Sequence, residues 1–163
     1  MRIFFGYMLI TLLLCAGCGE KLPEGMPKPY PVKVKVMMNN VPLEGAEITA
    51  YPTNPDLSKW AGASAKPTNS SGQSDIYTYM VKGLPEGEYI LTVEKQIIEA
   101  HPEDATGNSD LYELFVDPEF WNKDTSPLKI DVSSKNKNLF TVEVKEFNPD
   151  TYDQKKHRKR LKK

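Results

Sequence analysis

Val32-Lys33-Val34-Lys35-Val36 is the stretch that decides the fold. Its alternation has period two, so an extended chain puts three valines on one face and two lysines on the other, a half-buried β-strand. Asn39-Asn40 follows, and asparagine tolerates the left-handed backbone of a tight turn. Ala46-Glu47-Ile48-Thr49-Ala50-Tyr51 alternates again and stops at Pro52. After turn-rich residues 53–63, residues 76–81 are rich in β-formers. Tyr89-Ile90-Leu91-Thr92-Val93-Glu94 then sets Tyr89, Leu91 and Val93 on one side. Residues 128–132 and 139–144 complete the set, and the polar residues 133–138 between them predict a hairpin.

A helical period is readable only around 94–100 and 118–122. The pattern therefore predicts an all-β chain: a single antiparallel β-sandwich of about seven short strands, with one long loop excursion over 96–127. Two turns carry local predictions. Ser70-Ser71-Gly72-Gln73 needs Gly72 at positive φ. Gly83-Leu84-Pro85-Glu86-Gly87-Glu88 delivers Tyr89 into the core, where its hydroxyl should bond nearby backbone.

Three segments together carry a resemblance. Val41-Pro42-Leu43-Glu44-Gly45-Ala46-Glu47-Ile48, Thr68-Asn69-Ser70-Ser71-Gly72-Gln73 and Gly83-Leu84-Pro85-Glu86-Gly87-Glu88-Tyr89 resemble the motifs of carboxypeptidase regulatory-like domains, with Asn69 where Asp is usual. That family has a transthyretin-like (prealbumin-like) β-sandwich. A fourth segment, 116–128, is similar to one in small exported lipoproteins of planctomycete-like bacteria, with Phe120-Trp121 in place of Lys-Tyr and Pro127 in place of Gly. The resemblance spans roughly residues 32–146 and implies the fold. It brings no catalytic residues.

Outward from this domain the chain changes character. Met1-Arg2, an apolar run from Ile3 to Leu14 and then Cys15-Ala16-Gly17-Cys18 are the parts of an export signal. The run is shorter than the ~20 apolar residues a membrane-spanning helix needs. Its end resembles a bacterial lipobox, with Cys15 where Leu is commonest. The resemblance implies cleavage before Cys18 and acylation of its thiol, a membrane anchor of the palmitate kind. Gly19, rather than Asp, after that cysteine leans toward the outer membrane. Residues 1–17 then read as a lipoprotein signal peptide and 18–31, rich in Pro and Gly, as a tether. The sandwich occupies 32–146 and a basic tail 147–163. Of the 2 cysteines only Cys18 would remain, so no disulfide is expected.

The formal charge of −1 over 163 residues is an average of unlike parts. Lys155, Lys156, Arg158, Lys159, Arg160, Lys162 and Lys163 crowd the C-terminus, while residues 18–154 hold 13 basic and 22 acidic residues, a net of −9. A run of like charges repels itself. Export sets nucleic acid aside and makes an anionic lipid, lipopolysaccharide or wall polymer the fitting partner; a solvated tail, or one folded back on the acidic domain, is the plain alternative.

Catalytic chemistry is not prefigured. His101 and His157 are the only histidines. His101 lies among Glu99, Glu103, Asp104 and Asp110, without metal-ligand spacing, so neither a metal site nor a cofactor is expected. Lys33 or Lys35 with Asn138 would be the members of a Lys–Asn isopeptide link, but alternation turns both lysines outward. Trp60, Tyr112, Phe120 and Trp121 form the candidate binding surface for a glycan or an envelope protein; alternatively these rings cover an open end of the core. The expectation is a non-catalytic, lipid-anchored envelope protein that binds or scaffolds. A carbohydrate-binding module is the second reading and an envelope hydrolase the third.

Overall fold

The structure, a computed structural model, describes residues 22–99, 111–148 and 150. The strands run β1 (Pro29–Tyr30), β2 (Val32–Met38), β3 (Val41–Pro42), β4 (Glu47–Pro52), β5 (Gly62–Ser64), β6 (Gln73–Thr78), β7 (Val81–Lys82), β8 (Leu84–Pro85), β9 (Gly87–Glu94), β10 (Gln96–Glu99), β11 (Leu111–Leu114), β12 (Lys129–Val132) and β13 (Asn138–Val144). Short 3-10 turns occupy Pro55–Trp60 and Pro118–Phe120. One large sheet has the order β12-β9-β4-β5-β6-β2-β13, with β3 beside β2 and β7 beside β6. β1–β8 and β10–β11 are separate two-stranded ribbons. The chain is all-β, and its main sheet curls over one core in a sandwich-like half-barrel. No helix among the described residues is long and apolar enough to cross a membrane.

The alternation is carried through in three dimensions. Val32, Val34 and Val36 are buried while Lys33 is exposed, and Tyr89, Leu91 and Val93 are all fully buried. Asn39 and Asn40 turn the chain at φ 53° and 63°, and Gly72 sits at φ 71°. A Cβ on Gly72 would meet the Val36 carbonyl oxygen at 2.5 Å, so the turn admits only glycine.

The last two strands correct the hairpin expectation. β12 pairs antiparallel with β9, Ile130 opposite Tyr89, whereas β13 runs parallel to β2 from Asn138↔Val32 to Val144↔Met38. They are opposite edges of the sheet, and the connection is short because the sheet curls those edges together. Asn138, 5% exposed, forms the seam. Its Oδ1 accepts from the Ser133 N–H at 3.0 Å and its Nδ2 donates to the Ser133 carbonyl at 3.1 Å, in place of a strand pair. Both the oxygen and the nitrogen of the amide are thus engaged, and Lys33 instead faces Asp75 at 4.0 Å. At the other end of the curl, the Asp117 N–H donates to Lys145 O and the Phe147 N–H to Phe115 O, both at 2.9 Å.

Three further expectations are corrected. Residues 76–81 are not one strand, because Thr78 pairs with Val81 and folds Tyr79-Met80 into a two-residue turn. Where a helical period was readable around 94–100, residues 96–99 are β10. The tether is not free to its end: Pro29 and Tyr30 pair with Pro85 and Leu84, and Met26 is 8% exposed. The excursion 96–127 is structured where it is described, by the β10–β11 ribbon and the Pro118–Phe120 turn.

Tyr89 plugs one end of the core, its hydroxyl donating to Pro85 O at 2.9 Å. Burial pushes its phenol up to about 12 from the ordinary 10.0. The folded chain therefore keeps this proton through a pH window where the unfolded chain has released it. Stability from Tyr89 is complete below pH 10 and falls as pH rises through about 12, by ~1.4 kcal/mol per unit in that window. Tyr89→Phe should cost about 1 kcal/mol near neutrality. It should also remove this alkaline slope, which urea titrations from pH 9 to 12 would show; an unchanged slope would refute the assignment.

Candidate functional site

β5 consists of small residues, and its neighbours do not. Gly62 faces the core, where a Cβ would collide with the Leu84 side chain, so Ala63 points outward. Thr49, Ala63 and Tyr77 lie in register across β4, β5 and β6. The low floor of Ala61, Ala63 and Ala65 beside the taller Tyr77, Tyr79 and Met80 makes an open groove of about 710 Å³, with Thr49 and Ser64 adding hydroxyls. The Ser64 Oγ accepts from the Ile48 N–H at 3.0 Å and so ties the edge of β5 to β4.

The wall of the groove is built at a local cost. Two-residue hairpin turns favour Gly, Asn or Asp where φ is positive, yet Tyr79 stands at φ 53°. That conformation costs a bulky residue about 1–2 kcal/mol. The turn is held from below: Thr78 Oγ1 donates to Gly83 O at 2.9 Å and the Gly83 N–H to Ile76 O at 2.8 Å. Tyr79 meets the Trp60 ring edge-on, 5.8 Å between centroids, worth about 0.5–1.5 kcal/mol. Strain and ring contact roughly cancel, so folding alone gives no reason for tyrosine here. Tyr79 is nonetheless 65% exposed and Met80 86%.

The expected surface residues are placed differently. Trp60 is 4% exposed and Phe120 2%, so both belong to the core and neither offers a ring face to a ligand. Trp121 is half-buried beside Phe120, and its indole N–H is buried without a partner among the described residues. Tyr112 lies in β11, where only the backbone is described. Of Trp60, Phe120 and Trp121, the structure therefore makes no shared exposed surface. Cys18, His101, the acidic loop around Asp104 and Asp110, and the basic residues 155–163 lie outside the described residues. Among the described residues no three His, Cys, Asp or Glu side chains gather as a metal would need.

The two resembling turns prove to be one joint. The Thr68 hydroxyl donates to Leu43 O at 2.5 Å and accepts from the Ala46 N–H at 2.9 Å, locking the second motif onto the first. Asn69 Oδ1 accepts from the N–H groups of Ser71 and Gln73, both at 3.0 Å, so asparagine serves where the family pattern has aspartate. The groove was missed by sequence reasoning because its floor is made of alanines and its aromatic wall reads as strand. Compared with family models, curated proteins and solved structures, the chain matches none.

Proposed function

We propose that the chain is a non-catalytic lipoprotein of the bacterial envelope, anchored through acylated Cys18, whose β-sandwich presents the groove over β5 as its binding surface. The groove is the observation that carries the binding role: an aromatic wall at Tyr77 above an open floor of small residues. The lipobox-like Cys15-Ala16-Gly17-Cys18 supports the anchor, and Gly19 supports the outer membrane. The likeness to carboxypeptidase regulatory-like domains supports a module that positions or binds. The basic run 155–163 supports a contact with anionic lipid, lipopolysaccharide or wall polymer.

A glycan is the ligand class the groove favours, because Tyr77 offers a ring for stacking beside the alanine floor and Thr49 offers a hydroxyl. Ala63→Trp fills the floor from an exposed position and should change stability by no more than about 0.5 kcal/mol. On an array of envelope glycans the wild type should bind and this variant should lose at least about tenfold, or 1.4 kcal/mol. Binding that persists unchanged in Ala63→Trp would remove the groove from the account, and a wild type that binds nothing would remove the glycan.

A further inference from the structure

The strand register sorts the molecule into two ends. Val32, Asn138, Val132 and Gly87 stand at one end of their strands, and the Tyr79–Met80 turn lies beyond Val32, since Ile76 is its partner and β6 runs on past it. The N-terminal segment lies at this same end. A Cβ on Gly25 would be 3.9 Å from Lys59 Nζ, and Lys59 O is 3.5 Å from the Tyr79 hydroxyl. Leu22, the first described residue, is thus three residues from a contact with the neighbour of Trp60.

Covalent reach then fixes what this end must face. Cys18 precedes Leu22 by four residues, so an acyl anchor on Cys18 holds Leu22 within about 14 Å of the bilayer surface. Among the residues whose side chains are described, apolar exposure is concentrated accordingly. Leu22, Tyr79 and Met80 are 43%, 65% and 86% exposed at this end, and Leu139 at 64% is one residue above it; Val41 is the exposed large hydrophobic of the opposite end. Charge is mixed at both ends: Glu24, Asp56, Glu86 and Glu88 stand among the lysines of this end, and Lys95 and Lys145 among the carboxylates of the other. Lys28 and Lys59 lie beside the N-terminal segment, with Lys135 and Lys137 in the connection next to Asn138. Glu47, Glu94, Glu143 and Glu146 lie at the far end, where Glu47 and Glu94 face each other in register.

We propose that this end of the sandwich seats on the bilayer that holds Cys18, with Tyr79 at headgroup level and Met80 in the acyl boundary. The inference rests on the reading of Cys18 as acylated. Tyrosine suits the position because its ring is apolar and its hydroxyl stays wet. The strained turn then has a purpose: it pushes two large side chains past the end of the sheet, where Tyr79 leans on Trp60 and both stay largely exposed. Ala63, in register with Tyr77, is two residues or about 7 Å farther up the strand, so the groove floor stays clear of the membrane.

The test uses the full-length lipidated protein in phosphatidylethanolamine–phosphatidylglycerol vesicles with brominated acyl chains. Met80→Cys and Val41→Cys, both exposed, each supply the one free thiol of the mature chain for an environment-sensitive fluorophore. An interfacial side chain is buried ~5–10 Å, so the label at 80 should be quenched at least about threefold more than the label at 41. Equal quenching at the two positions, with Cys18 shown acylated by intact mass, overturns the seating and leaves the anchor standing. An unmodified Cys18 overturns the anchor, and the seating with it.

Discussion

Gly83→Ala should be among the most damaging single changes in the chain, costing about 3 kcal/mol and lowering the melting temperature by roughly 10 °C. Gly83 stands at φ 112°, outside the range an L side chain adopts readily, and a Cβ there would run into the backbone carbonyl of Tyr30. The Tyr30 carbonyl cannot swing away as a side-chain tip would. Relief requires β1 to leave β8, which gives up the Pro29↔Pro85 and Tyr30↔Leu84 pairs and uncovers Leu84, fully buried in the native fold. The damage should therefore be uneven. Amide exchange should quicken at Tyr30 and Leu84, while the β2–β13 ladder keeps its protection. A melting temperature within a few degrees of wild type would show that the N-terminal segment is not tied down as the structure has it.

Thr68→Val should cost about 2–4 kcal/mol, although it keeps the volume and shape of the side chain. The hydroxyl is 3% exposed and serves two backbone groups at once, the Leu43 carbonyl and the Ala46 N–H. Removing it strands both in a site that water does not reach, and an unmet buried polar group costs more than a hydrogen bond contributes. Thr68→Ser keeps the hydroxyl and should recover most of the loss. Urea denaturation of the three proteins, compared at equal slope, separates these cases. If Thr68→Val matches Thr68→Ser, the joint between residues 43–46 and 68–73 is not held by this hydroxyl.

Local features were legible in the sequence wherever one residue type answers one backbone demand. The valines of β2 had one possible inward face, Gly72 was the one residue able to turn there, and Tyr89 had to find an acceptor. Partnership between distant segments was less legible. Alternation says which face of residues 139–144 is buried, yet nothing in it says that the neighbour is β2 running the same way. Curling of the sheet decides that, and curling is a property of all the strands together. The aromatic residues failed for a related reason. Trp60 and Phe120 lie in turn-rich stretches, where an exposed ring and a core plug have the same sequence, and only packing separates them. Tyr79-Met80 failed in the opposite sense, since a good strand former and its neighbour, inside a β-rich run, are held in a turn by the bonds of Thr78 and Gly83.

The parallel pairing of β13 with β2 has a mechanical consequence. The chain enters β2 at Val32 and leaves β13 at Val144, at opposite ends of two adjoining strands. A pull applied between the two termini runs along that ladder, loading its bonds side by side in shear. A hairpin of the last two strands would have let the same pull open its bonds one after another, like a zip. Tension between the N-terminal and C-terminal sides therefore falls on the longest register among the described residues, the geometry that resists extension best.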